Sequence, residues 1–403
     1  MRSTGTFVFL CMCALTAYYI YTPVPENIEQ RWKLMITDCF FRSLGHLADL
    51  SELLGLADYM DVMMLVTFLE RVVPVSDERV KVTEASFDGV EVLVYESRLD
   101  RRKSEKRRSV IYLHGGGWCL GSAKMGPYDL LARQMVTELD AVVVSIEYRL
   151  APLHHFPVPF DDVYHAVKYF LQPDVLDRYE VDPERVAVSG DSAGGNLAAV
   201  VTQQLHLEPD QLVKIKVQAL IYPALQALDL NTPSYQQNRH MPILPRTLMV
   251  RFWSEYFTSD KSILTSMMTN KHNSAESAAM LKFVNWSIFL PEPYRRTYNY
   301  SALSISTDKT LLSLADPRAS PLIAPDAVLH HLPKTYILTC EYDVLRDDGV
   351  MYVTRLRLAG VNVTHEHYEE GFHGTIMFTM WPTEFQIAHR MTDNYLLWLR
   401  ENL

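Results

Sequence analysis

The chain has 403 residues, 48% of them hydrophobic and 21% charged, which suits a large buried core and argues against intrinsic disorder. Acidic residues outnumber basic ones by 48 to 38, and the net charge of −10 excludes the basic face that a nucleic-acid partner requires.

The first element is apolar: residues 6–22, TFVFLCMCALTAYYIYT, carry no charge. The run is short for a spanning helix, which needs roughly 20 apolar residues with a lower limit near 17. It is long for a signal-peptide core, and no A-x-A cleavage site follows it. It reads as an uncleaved signal-anchor, with a cleaved signal peptide and a buried helix as the alternatives. Tyr18, Tyr19 and Tyr21 suit a membrane interface. Residues 1–24 are thus assigned to a cytosolic tip and anchor, and residues 25–78 to a helical cap segment. Within the latter, Ile28, Trp32, Met35 and Cys39, and then MMLVTFLERVV, recur at helical spacing across residues 28–73. Such a stripe faces a core, rests on a membrane surface or lids a site.

From about residue 80 the pattern changes. VKVTEASF and VEVLVYES read as a strand pair, and residues 109–114, 141–148, 185–190 and 216–222 are apolar, β-branched strand segments. TYILTC and VTHEHYEE supply two more strands. Helical patterns between the later strands predict a mostly parallel, buried sheet flanked by crossover helices. The catalytic domain is placed at residues 79–403, with an aromatic, helix-rich insertion at about 225–320 that caps it. RRKSEKRR, residues 101–108, is expected to be a solvated hairpin loop.

Cys11 and Cys13 lie in the anchor, leaving Cys39, Cys119 and Cys340 for at most one internal bridge, and no Cys/His spacing points to a metal site. The sequons at Asn285, Asn299 and Asn362, taken with the anchor, favour a luminal or extracellular body.

The chemistry concentrates around SGDSAGGN, residues 189–196. The strand RVAVSG runs into Ser192 and a helical segment leaves it, the setting of a nucleophile elbow, with Gly190, Asp191 and Gly194 flanking the serine. Upstream, YLHGGGW places His114, Gly115, Gly116 and Gly117 at the end of a strand. Gly115 and Gly116 are the expected oxyanion donors, with the Ala193 amide as the third. The glycine run lacks both the P-loop lysine and the G-x-G-x-x-G spacing of nucleotide loops. In this fold the chain order is serine, acid, histidine. His373 in GFHG is the candidate base, and Asp343 in CEYDVLRDDG the candidate acid, with Glu341 the runner-up. His330, His331, His365 and His367 lie beside or within strands and read as structural, while Asp347 and Asp348 look like the opening of the next helix.

HGGGW, YRLAP with HHFP, GDSAGGN, DPRASPL, YDVLRDDG and GFHG occur in the order seen in hormone-sensitive-lipase-type carboxylesterases, which residues 105–400 resemble. With its N-terminal segments included, the whole chain resembles the arylacetamide deacetylase-like branch of that family. The resemblance implies an α/β-hydrolase fold, a triad of Ser192, Asp343 and His373, and an oxyanion hole at the HGG segment. It also implies a single-pass type II protein of the endoplasmic reticulum with a luminal catalytic domain, and a Cys119–Cys340 disulfide. One departure is Leu153, where the family often has glutamate after YRLAP; an altered surface or channel contact is expected there.

The expected reaction is two-step acyl transfer from a hydrophobic ester, aryl amide or lipid ester, with no metal or organic cofactor. The alternatives are a non-catalytic receptor of the same fold, which usually lacks a triad member, and a serine peptidase, which usually carries an extra peptide-docking domain.

Overall fold

The computed structural model describes residues 2–99, 106–305 and 312–403. Eight strands form one sheet: β1 (Val80–Phe87), β2 (Val90–Ser97), β3 (Arg107–Leu113), β4 (Ala141–Glu147), β5 (Val181–Asp191), β6 (Val217–Ile221), β7 (Lys334–Tyr342) and β8 (Val363–Phe372). Their spatial order is β1-β2-β4-β3-β5-β6-β7-β8. Only β1–β2 and β2–β4 pair antiparallel; every later neighbour is parallel. All eight expected strands are present.

Period-2 alternation splits the strand residues between two cores. Ile111, Leu113, Val142, Val144 and Val188 face one side of the sheet, where the helices Val158–Phe170, Ala193–Leu207 and Arg346–Leu358 cover them. Val110, Tyr112, Val143 and Ala187 face the other, under the helices Gly126–Leu139 and Gln386–Asn402. The Ala193–Leu207 helix is buried nearly all round, and Leu197, Val201 and Leu205 are fully buried. Each such side chain contributes roughly 1.5–3 kcal/mol on burial.

Three expectations need correction. The helical stretch at 28–73 is not continuous: it forms helices Arg31–Leu53, Tyr59–Met63 and Leu65–Glu70, and Gly55 at φ 65° turns the chain after the first. The basic octapeptide does not link a hairpin, because β4 stands between β2 and β3. Residues 101–105 of it lie outside the described residues, while Arg107 and Arg108 open β3, where Arg108 donates to the Leu139 carbonyl. Finally, Cys119 and Cys340 are separate, buried free thiols. Cys119, in the loop after β3, packs in the first core with Trp118 and Tyr148, whereas Cys340 follows Tyr336 and Leu338 of β7 into the second.

The first helix, Arg2–Ile20, is 19 residues long, and among the described residues no helix is long and apolar enough to cross a membrane. Phe7, Phe9, Leu10 and Leu15 are all exposed on it.

Candidate active site

β5 delivers Ser192 into a tight turn, and the residue sits at φ 54°, ψ −117°, a strained conformation for a side-chain-bearing residue. The turn is held shut by Ser192 N–H donating to the Ile221 carbonyl of β6 at 2.9 Å. A Cβ on Gly194 would lie 2.0 Å from the Leu113 carbonyl oxygen, so only glycine lets the helix start this close to β3. Gly190 is buried at the end of β5 beneath this contact. Asn196, the last residue of the motif, donates to the carbonyls of Ala224 and Ala319 and ties the helix to the cap segment.

Three loops beyond the sheet's C-terminal edge bring Ser192, Asp343 and His373 together. Ser192 Oγ lies 2.9 Å from His373 Nε2, and His373 Nδ1 lies 2.7 Å from Asp343 Oδ2. The other Asp343 oxygen accepts the Leu345 amide at 2.8 Å, which fixes the carboxylate plane. All three side chains are buried, and the Tyr222 ring packs 4.8 Å from the imidazole. A hydroxyl aligned on an imidazole that a carboxylate orients can be activated as a nucleophile.

The remaining acidic and histidine candidates are occupied elsewhere. Glu341 accepts from Arg346 and meets His367 Nε2 at 3.2 Å. His365 and His367 both bond Thr339, and His330 bonds the Ala359 carbonyl. Asp347 and Asp348 open the Arg346–Leu358 helix, where Asp347 accepts the Ser234 amide and Asp348 that of Leu225.

The glycine loop departs from expectation at one residue. Gly115 N–H is already committed, to Tyr128 Oη at 2.8 Å and to Asp191 Oδ1 at 3.0 Å. The reason is Asp191: this buried carboxylate needs donors, and it collects them from Gly115, Tyr112 and Tyr128. Burial still pushes its carboxyl up to about 6. Gly116 and Gly117, by contrast, line the same cavity as Ser192 and His373. No backbone acceptor takes either amide among the described residues. Gly116 adopts φ 112°, and a Cβ there would strike the Leu120 carbonyl at 2.1 Å. Ala193 is the first residue of its helix, so its amide has no intrahelical partner. Gly117, rather than Gly115, is thus the glycine that lines the cavity beside Gly116. Reading the motif as a repeat could not separate the two, because the discriminating partner, Tyr128, lies on another element.

His114 has no contact with Ser192. Its ring stacks on Tyr148 at 4.2 Å, its Nδ1 donates to the Gly115 carbonyl, and burial lowers its pKa. Trp118, next in the loop, stacks on Tyr256 at 4.4 Å and so ties the glycine loop to the cap helix Arg246–Phe257. Leu153 is 88% exposed and lies away from the cavity, which makes it a surface residue.

Above Ser192 opens a cavity of about 500 Å³. Its walls come from the N-terminal helices (Phe41, Met63), the cap helix (Leu248, Phe252) and the loop after His373 (Met377, Trp381). They are overwhelmingly apolar, as sites for hydrophobic ligands are.

The α/β-hydrolase-fold family model matches residues 110–284 and 271–377. Arylacetamide deacetylase of Mus musculus is 52% identical over 402 residues, covering 99% of both chains. Neutral cholesterol ester hydrolase 1 of Bos taurus is 48% identical over 413 residues, covering all of both. Among solved structures, a hyperthermophilic esterase from Pyrobaculum calidifontis aligns with a TM-score of 0.61 at 27% identity, over 85% of this chain and 89% of that one. The chain belongs to the α/β-hydrolase family, among its hormone-sensitive-lipase-type members, and is an ester hydrolase.

Proposed function

We propose that the protein cleaves hydrophobic carboxylic esters and aryl amides through an acyl-enzyme on Ser192. The line of hydrogen bonds from Asp343 through His373 to Ser192, at the floor of an apolar cavity, carries this reading. His373 takes the serine proton at Nε2 as Oγ attacks the carbonyl carbon. Asp343 holds Nδ1–H and stabilises the imidazolium that forms. The amides of Gly116, Gly117 and Ala193 bind the tetrahedral oxyanion, and the proton passes from His373 to the leaving alcohol or amine. Water, deprotonated by the same imidazole, then releases the acid. The names of the relatives, an arylacetamide deacetylase and a cholesterol ester hydrolase, mark the substrate classes to try first.

Ser192→Ala should lower hydrolysis of p-nitrophenyl esters by about 10⁵-fold or more while leaving the fold intact. A fluorophosphonate probe should label wild type and not the variant; folded wild type that fails to label would overturn the reading.

The N-terminal segment is assigned as a signal-anchor, with the catalytic body in the lumen of the endoplasmic reticulum. Its support is an uncharged run from residue 3 to residue 25, apolar side chains exposed around the first helix, and sequons exposed at Asn299 and Asn362. Asn285 is half-buried, and its Oδ1 accepts from the Ser287 amide and hydroxyl. Glycosidase should shift the mass of wild type but not of a triple Asn→Gln variant at the three sequons. An unshifted wild type would place the body on the other side of the membrane.

A further inference from the structure

The helix Arg31–Leu53 buries one side, Leu34, Leu44 and Ala48, against the body. A surface helix is expected to turn charged residues outward on the other. Here the outward side carries Trp32 (63% exposed), Ile36 (53%), Phe40 (49%), Leu47 (52%) and Leu50 (50%). Their spacings of 4, 4, 7 and 3 residues place all five on one face. The apolar surface continues through Leu53, Leu54 and Leu56 into Leu65, Phe68 and Leu69, all exposed.

This surface meets the mouth of the active-site cavity. Leu69, 73% exposed, and Trp381, 84% exposed, also line the cavity above Ser192. The loop bearing Trp381 is tied to the start of the same helix, because Lys33 Nζ donates to the Glu384 carbonyl and the Gln386 amide donates to Gln30 Oε1. Phe40 packs edge-on against Phe41, a cavity wall.

We propose that this face seats the catalytic body on a lipid bilayer, with the cavity opening into the interface so that hydrophobic esters enter from the membrane. The proposal rests on the ester-hydrolase reading and adds the route by which substrate arrives. Two observations favour lipid over a protein partner. The first helix, apolar and exposed, packs on this helix where Arg42 donates to the Tyr19 carbonyl and Tyr19 Oη meets Ser43 Oγ, so the two apolar surfaces run together. Trp32 and Trp381, exposed at the edge of this face, also suit the headgroup layer.

The chain's six tryptophans allow a direct test. Trp118, Trp253, Trp286 and Trp398 are buried, while Trp32 and Trp381 are exposed on this face. Full-length protein in phosphatidylcholine vesicles whose acyl chains are brominated near the glycerol should show quenched tryptophan fluorescence. Trp32→Phe/Trp381→Phe should lose that quenched component. Ile36→Glu/Leu47→Glu/Leu50→Glu, at positions away from the cavity, should hydrolyse a vesicle-dissolved ester about tenfold more slowly or worse. Its rate on a short water-soluble ester should stay within about twofold of wild type. Wild type that is unquenched overturns docking, and an unquenched dimer assigns the face to a second copy instead. Equal rates of the triple-Glu variant and wild type on the vesicle ester also overturn docking. Wild type that hydrolyses neither ester sinks the ester-hydrolase reading itself.

Discussion

Asp191 stands next to the nucleophile in sequence yet acts on the loop across from it. Its buried oxygens accept from Tyr112, Tyr128 and Gly115, and Tyr128 in turn accepts the Gly115 amide. Gly115 is thereby pinned and Gly116 and Gly117 are left facing the cavity. Tyr128→Phe removes one partner from each of those groups without changing cavity shape. The expected result is a kcat about tenfold lower with KM nearly unchanged, the mark of an interaction used in the transition state. Steady-state kinetics on one short ester decides it, and a rise in KM alone would show that Tyr128 merely lines the wall. Asp343→Asn should lose about 10⁴-fold in kcat while Ser192 and His373 keep their places, because the amide holds the wrong imidazole tautomer.

At the scale of elements, two packing contacts set the site. The elbow helix approaches β3 so closely that Gly194→Ala forces backbone apart, since its Cβ would sit 2.0 Å from Leu113 O. A loss of at least ~3 kcal/mol in urea unfolding is expected; a neutral substitution would mean that the helix start can shift without cost. The cap helix Arg246–Phe257 does two jobs at once. Tyr256 and Trp253 hold Trp118 of the glycine loop, at ring separations of 4.4 Å each, while Leu248 and Phe252 wall the cavity. Leu248→Trp fills cavity space and leaves the loop contacts alone. It should reduce kcat/KM for long-chain esters about 10- to 100-fold relative to acetyl esters. A chain-length profile checks this, and a uniform drop would move Leu248 from selectivity to folding.

Across the whole molecule, the sheet's C-terminal edge collects groups from distant stretches of chain, and the cap must stay docked for the cavity to exist. Asp348 is one of the clamps: it accepts the Leu225 amide and Gln226 Nε2 at the root of the cap. Burial pushes its carboxyl up to about 8, whereas an exposed aspartate ionises near 3.9. Between those values the folded chain holds a proton that the unfolded chain has lost, so this group draws stability down as pH rises. Asp348→Asn cannot ionise. Its melting temperature relative to wild type should therefore climb between about pH 5 and about pH 8. A difference that stays constant over that range would show Asp348 charged throughout in the fold.

Much of this was legible in the residues alone, and for local reasons. Strand periodicity and the strand–turn–helix setting of Ser192 are written in neighbouring residues, because backbone sterics and side-chain alternation act over a few positions. What required the fold was every choice between chemically similar groups. Gly115 and Gly117 differ only through Tyr128 and Asp191, 13 and 76 residues away from Gly115. Cys119 and Cys340 could be paired on paper, yet alternation along β7 turns Cys340 into one core while Cys119, in the loop after β3, packs in the other. The stripe of Ile28, Trp32, Met35 and Cys39 read first as core-facing, with a membrane rest or a lid as alternatives, yet Ile28 is buried and Trp32 exposed, since helical spacing marks a face without saying what meets it. Burial of the helix's other side against the body, a long-range packing event, left Trp32 turned outward.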